Sequence, residues 1–171
     1  YIILDEAHSI ATLGRGRGLA SELNLCDKVL LRLVTFGKAL GGQGACVLAS
    51  QLVCDYLSNF CRSFIYSTAL PQTNLYWVLS VLSLLEKERK VICSLQEKVR
   101  FFSTKIGKEA HFGPIFTCFF KGRDELHSAY KKLLAEDILA LPIYSPTVRR
   151  GTERLRICLH AHNSYEEICK L

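Results

Sequence analysis

The sequence predicts an α/β layer that continues into a smaller α+β unit. Three observations carry this. Two apolar runs, Tyr1–Leu4 and Val29–Val34, each stop at a polar residue followed by turn-forming sequence, the pattern of buried strands. Apolar positions then recur at helical intervals between Tyr76 and Ile106. Beyond Gly113-Pro114 the order is strand, helix, strand, strand, helix, an α+β arrangement. The 171 residues have the length of one domain, and 49% of them are apolar, so a core can be buried.

Taken in order, Tyr1–Leu4 is a strand with Asp5 at its carboxyl end and His8 in the loop beyond. Gly14-Arg-Gly-Arg-Gly18 reads as a loop that approaches a ligand or another backbone closely. Val29–Val34 is a second strand, left through Thr35-Phe-Gly-Lys38-Ala-Leu-Gly-Gly42. Ala45–Ala49 is a third. Ser50 is expected to cap a helix through Asn59, with Leu52, Val53, Leu57 and Phe60 at helical spacing. Phe64–Tyr66 reads as a strand or extended segment ending in Ser67-Thr68, and Pro71 breaks the chain. The apolar positions of 76–106 make one long helix or two in line, interrupted by the charged stretch Glu86–Lys90. Ile115–Phe120 is a strand and Asp124–Glu136 a helix, with Leu126, Tyr130, Leu133 and Leu134 on one face. Strands follow at Ile138–Tyr144 and Arg154–His160, and Ser164-Tyr-Glu-Glu167 is a capping-box start for a last helix. The expected organisation is 1–75, a connecting helical stretch 76–106, and a small unit 107–171.

The net charge is +6. Much of the excess lies in Arg15/Arg17 and Arg149/Arg150/Arg154/Arg156, an ordinary basic surface or a mouth that attracts anionic substrates. No aromatic residues interleave with these arginines, so nucleic acid is not expected. No run approaches the roughly 20 apolar residues of a membrane span, and no basic-then-apolar leader opens the chain. The eight cysteines show neither CxxC nor zinc-ligand spacing. Reduced, buried thiols of a cytoplasmic protein are expected, with no disulfide and no metal site.

Asp5, His8, Thr35 and Lys38 stand at two strand ends. In open α/β sheets, ligands bind outside the carboxyl ends of the strands. A carboxylate, an imidazole, a hydroxyl and an amine facing one crevice answer the needs of pyridoxal phosphate: partners for its ring nitrogen, its phenolic oxygen and its phosphate, and an amine for its aldehyde. Each residue alone also has an ordinary role, Asp5 as a cap, His8 in a loop, Thr35 in a strand and Lys38 in a solvated turn.

Four blocks occur in order: Asp5-Glu-Ala-His-Ser9, Thr35-Phe-Gly-Lys-Ala-Leu-Gly41, Phe64-Ile-Tyr-Ser-Thr-Ala-Leu-Pro71 and Pro146-Thr-Val-Arg-Arg-Gly-Thr-Glu-Arg-Leu-Arg156. Together they resemble the α-oxoamine synthases. The resemblance implies fold type I of the pyridoxal-phosphate transferases, with this chain as the C-terminal part: the end of the large domain plus the small one. It implies a decarboxylative condensation of an amino acid with an acyl thioester, L-alanine with pimeloyl-CoA or pimeloyl-acyl carrier protein being the expected pair. Sister members that take glycine or serine are the alternative. By the same resemblance Asp5 holds the ring nitrogen, His8 the phenolic oxygen and Thr35 the phosphate, and Lys38 is the covalent anchor and proton carrier. Ser67 and Thr68 reach the phosphate of the neighbouring subunit of a homodimer with shared sites, while Thr147 and Arg156 bind substrate. This part alone is expected to be inactive.

The chain departs from the family pattern at Ala11 (usually Gly), at Gln72 and Arg149 (usually Pro), and in a Gly-Arg loop one residue shorter. Tyr1–His8 also matches a different class, because an apolar run followed by Asp-Glu-Ala-His is the magnesium-binding signature of DEAH-type helicases. Ser67-Thr68-Ala69 has the composition of the helicase Ser-Ala-Thr motif in the wrong order, and no Gln/Arg-rich motif follows.

Overall fold

Strands β1 (Ile3–Asp5) and β2 (Leu31–Thr35) run parallel, with Ile3, Leu4 and Asp5 opposite Leu31, Arg32 and Leu33. The intervening residues 6–30 hold 3₁₀ turns at Gly14–Gly16 and Cys26–Lys28 around a short helix, α1 (Leu19–Glu22). That is enough chain for a parallel crossover. Residues 36–44 are not, so β3 (Ala45–Ala49) turns back and pairs antiparallel with β2, Thr35 opposite Ala45. The sheet order is β1-β2-β3. These elements belong to the first of two units, Tyr1–Ser94 and Leu95–Leu171, in a computed structural model that describes residues 1–108 and 111–171. Residues 109 and 110 of the expected 107–171 unit lie outside the described residues.

The first unit is centred on Ile10, Ala11, Val34, Phe36, Leu40 and Val78. Helix α2 (Gln51–Phe60) begins after Ser50, but the Ser50 side chain makes no capping bond; only its carbonyl is used, by the Cys54 amide at 3.0 Å. Leu52 and Phe60 are exposed, so the helical apolar face is only partly covered within this chain, where Val53, Cys54 and Leu57 are half-buried. Phe64–Tyr66 is a turn and not a strand. The Phe64 and Ile65 amides both donate to the Cys61 carbonyl at 2.9 Å, and Tyr66 takes φ 60°, which no pleated strand accommodates. The long periodic stretch is two helices, α3 (Gln72–Lys87) and α4 (Arg89–Lys105), parted at Glu88 with φ −99° and ψ 48°.

The second unit begins within α4. Its strands β4 (Ile115–Phe119), β5 (Leu141–Ile143) and β6 (Arg154–Cys158) form an antiparallel sheet in the order β4-β6-β5. One cluster joins Leu95, Val99 and Phe102 of α4 to Phe116, Leu159 and Ile168. A second lies under α5 (Arg123–Ala135), where Leu126 packs with Ala140 and Leu155. Leu134 is exposed and does not share that face. β5 is shorter than expected because α5 closes over its approach: Asp137 takes φ 57° and the Ile138 amide returns to the Leu133 carbonyl at 2.9 Å, a left-handed helix end. Helix α6 (Tyr165–Lys170) starts with the expected capping box. The cysteines are free but none is buried: Cys46, Cys54 and Cys61 are half-buried and the other five exposed.

Candidate functional site

The parallel register brings the carboxyl ends of β1 and β2 to one edge of the sheet. Asp5 pairs with Leu33, two residues before Thr35. Asp5 is exposed, with Oδ1 held by the Ala7 amide at 2.8 Å. His8 is exposed in the turn after it, and its carbonyl accepts the Thr12 hydroxyl at 3.1 Å. Lys38 is exposed in the loop leaving β2, and its carbonyl accepts the Gly41 amide at 3.0 Å. Thr35 is the unusual member. Its Oγ1 is buried and has no hydrogen-bond partner. A buried hydroxyl left unpaired costs free energy, and such groups are rare enough to need a reason.

Glu6, which has no assigned role in the sequence reading, holds this edge together. It is fully buried. Its carboxylate accepts the Leu19 amide at 2.7 Å, the Ala20 amide at 3.1 Å, Arg32 Nε at 3.0 Å and the Ser9 hydroxyl. Burial pushes its pKa up, but the Ser9 hydroxyl, the two amides and the Arg32 guanidinium outweigh that and hold it below the ordinary carboxylate value. Gly18 makes room for it, since a Cβ there would lie 2.4 Å from Oε2. The end of β1, the start of α1 and the amino-terminal part of β2 thus converge on one carboxylate.

Ser67 and Thr68 are exposed, after the turn and not at a strand end, and the Ser67 hydroxyl bonds the Phe64 carbonyl. In the second unit Thr147 is exposed in the turn after β5, beside the cis peptide Ser145–Pro146. Arg156 is half-buried in the central strand, opposite Thr117 and Leu141. Partial desolvation of its sulfur pushes the Cys158 thiol up although the residue is exposed, and the Arg156 guanidinium beside it opposes that shift. Arg154 turns to its own surroundings, with Nε 2.9 Å from the Thr152 carbonyl and its guanidinium over Phe119. Arg15 and Arg17 line a cavity of about 680 Å³ with Leu79, Leu82 and Glu86, and none of Asp5, His8, Thr35 or Lys38 borders it. The Arg17–Glu86 pair there, at 3.9 Å, is solvent-exposed and contributes little.

The aminotransferase class I and II family matches residues 1–171. The 8-amino-7-oxononanoate synthase of Beijerinckia indica is 30% identical over the whole chain, which covers 44% of that protein. The crystal structure of 8-amino-7-oxononanoate synthase from Francisella tularensis superposes with a TM-score of 0.84 at 30% identity, over 98% of this chain and 51% of its own. A serine palmitoyltransferase of S. paucimobilis, solved with pyridoxal phosphate and myriocin bound, gives 0.85 at 20% identity, over 98% of this chain and 44% of its own, a likeness of fold. The chain therefore spans about half the length of the proteins it matches. The family match over the whole chain overturns the helicase alternative.

The family's cofactor, pyridoxal phosphate, would be held by residues of the kinds present at this edge. Thr35 Oγ1 has no hydrogen-bond partner, and a phosphate oxygen would be an acceptor for it. Asp5 and Lys38 stand solvent-accessible at the same edge, a carboxylate and an amine of the kinds the ring nitrogen and the aldehyde require.

Proposed function

Because the chain belongs to the aminotransferase class I and II family, we propose that it is the C-terminal part of a cytoplasmic, homodimeric, pyridoxal-phosphate-dependent acyltransferase of the α-oxoamine synthase type. Its reaction is the condensation of L-alanine with a pimeloyl thioester of coenzyme A or acyl carrier protein. Carbon dioxide and the thiol leave, and the product is 8-amino-7-oxononanoate. The names of the relatives favour this substrate pair, as do the Thr35–Gly41 and Phe64–Pro71 blocks. The observation that carries the reading is the buried, unpartnered hydroxyl of Thr35 at the strand edge it shares with Asp5.

When bound, pyridoxal phosphate supplies an electron sink for the charge that develops at the substrate α-carbon. The chain's own residues then have distinct tasks. Asp5 keeps a proton on the ring nitrogen, His8 hydrogen-bonds the phenolic oxygen, and Thr35 donates to the phosphate. Lys38 anchors the group through its amine and moves a proton at the α-carbon. Arg156 takes the amino-acid carboxylate with its two-pronged guanidinium, and Thr147 contacts substrate. Ser67 and Thr68 serve the phosphate of the partner subunit.

The test uses the complete protein. After borohydride reduction, peptide mass should place a pyridoxyl group on Lys38, and alanine should be turned over in preference to glycine or serine. A preference for glycine moves the assignment to glycine C-acetyltransferase or 5-aminolevulinate synthase, and one for serine to serine palmitoyltransferase. Thr35→Val tests the carrying observation directly. A hydrogen bond to a charged group contributes about 1.5–3 kcal/mol, so cofactor affinity should fall roughly ten- to a hundredfold. The Tm without cofactor should hold or rise, since the change removes an unpaired buried hydroxyl at constant volume. Unaltered affinity removes Thr35 from the site.

A further inference from the structure

The loop that carries Lys38 is held from behind by the start of α3, and we propose that Asn74 and Trp77 are positioning residues for the Lys38 amine. This rests on the assignment of Lys38 as the amine that anchors the cofactor. The loop is closed at its base by the Phe36 amide on the Gly44 carbonyl and the Gly42 amide on the Phe36 carbonyl, each at 2.8 Å. Asn74 then pairs with both main-chain groups of Gln43, as a neighbouring strand would. Its Oδ1 accepts the Gln43 amide at 2.8 Å and its Nδ2 donates to the Gln43 carbonyl at 2.5 Å. Trp77 Nε1 donates to the Leu40 carbonyl at 3.2 Å. Between these two contacts Gly42 lies against the helix so closely that a Cβ would sit 2.8 Å from Val78 Cγ2 and 3.4 Å from both Asn74 Oδ1 and Trp77 Cδ1. Leu40 and Val78 fix the same two pieces from inside, through the core they share.

The consequence concerns the amine. Lys38 stands on an exposed bend, four residues before the Gly42 contact, and no salt bridge restrains its side chain among the described residues. A lysine stem is long and flexible, so where its amine spends its time is set by where the loop holds its Cα. A displacement of about 1 Å at a reacting group can cost on the order of a hundredfold in rate. Asn74 and Trp77 bond the loop's backbone and not its side chains, so they set its position whatever Lys38 is doing. They also lie shortly after Ser67 and Thr68 in the chain, which links the placement of the two groups of residues that serve the cofactor.

The experiment compares Asn74→Ala, Asn74→Asp and Trp77→Phe in the complete protein loaded with pyridoxal phosphate. Three quantities are measured: amide exchange across residues 36–44, cofactor Kd, and the pH midpoint of the bound cofactor's absorbance change. Asn74→Ala should speed Gln43 amide exchange by about tenfold, the loss of one hydrogen bond, weaken cofactor binding about tenfold or more, and move the pH midpoint. Trp77→Phe keeps the ring and loses only the donor, so it should do the same to a smaller extent. Asn74→Asp keeps the acceptor for the Gln43 amide but sets a carboxylate oxygen against the Gln43 carbonyl, so it should restore only part of the protection. The proposal is overturned by Gln43 exchange that does not change in Asn74→Ala. Exchange that rises equally through β2, β3 and α3, with Kd and pH midpoint of the folded protein unmoved, overturns it as well, since that is a purely structural role. If the unsubstituted protein carries no pyridoxyl group on Lys38 after reduction, the assignment of Lys38 fails and the positioning role goes with it. A labelled Lys38 with unchanged exchange in Asn74→Ala removes the positioning role alone.

Discussion

A carboxylate buried without solvent survives ionised only where donors surround it, and Glu6 has four of them. Its partner Arg32 is itself largely enclosed, with 14% of its side chain exposed against none for Glu6. Removing one member of such a pair leaves the other charged and unpaired, so Glu6→Gln should cost about 3–5 kcal/mol at neutral pH. The pH dependence has a definite sign. The folded pKa of Glu6 lies below its ordinary 4.5, so its contribution is fully present above 4.5 and disappears as pH falls through the lower, folded value. Thermal unfolding of the wild type and of Glu6→Gln should therefore diverge at neutral pH and converge in acid below that window. Parallel curves across the window would mean that Glu6 is not ionised in the folded chain. Nothing in the sequence announces this role. The donors Leu19, Ala20 and Arg32 lie 13, 14 and 26 positions away, and only the crossover brings them to β1. Asp5, Thr35 and Lys38 were legible for the opposite reason, since an apolar run that stops marks its own end.

At the scale of elements, α6 is the clearest case of local signals deciding local structure. Six residues are too few for a helix to persist alone. The Ser164 hydroxyl accepts the Glu167 amide at 3.1 Å, Glu167 Oε2 accepts the Ser164 amide at 2.9 Å, and Ile168 is buried. Ser164→Ala should cost about 1 kcal/mol in denaturant unfolding, with most of it recovered by Ser164→Asp, which keeps an acceptor at the N-cap. Equal midpoints for wild type and Ser164→Ala would show that the burial of Ile168 holds the helix unaided. The capping box was readable because its two partners sit three residues apart. Phe64–Tyr66 was misread because an aromatic, a β-branched and an aromatic residue have strand composition, while the turn that claims them is made by the Cys61 carbonyl and a positive φ at Tyr66. The antiparallel β3 follows from the shortness of residues 36–44, a length the sequence displays. The hold of α3 on that loop does not, because Asn74 and Gln43 are 31 positions apart.

At the scale of the molecule, the proposed dimer gives a reason for the exposed Ser67 and Thr68 and for the apolar stripe beside them in sequence. Leu52, Tyr56 and Phe60 recur every fourth residue along α2, all exposed, with the Tyr56 and Phe60 rings stacked at 5.0 Å. A stripe of that kind on a helix marks a face that something covers. If this face lies in the twofold interface, its contacts are reciprocal between the two chains. If that contact also delivers Ser67 and Thr68 to the partner's cofactor phosphate, each site is built from two chains, Lys38 from one and the hydroxyl pair from the other. Two complete-protein variants separate this from a site built within one chain. Lys38→Ala removes the amine, and a double alanine at Ser67 and Thr68 removes the hydroxyls without changing core volume. Each homodimer should be inactive or nearly so. In a mixed dimer with shared sites, one site has lost both the amine and the hydroxyls and the other has lost neither. Mixing under conditions that allow subunit exchange should then restore part of the activity and part of the tight cofactor binding. With sites confined to single chains, every site in every mixed dimer keeps one defect, and mixing restores nothing. Mixed dimers demonstrated by native mass spectrometry, with activity still at the level of the parents, would rule out the shared arrangement while leaving the assignment of Lys38 untouched.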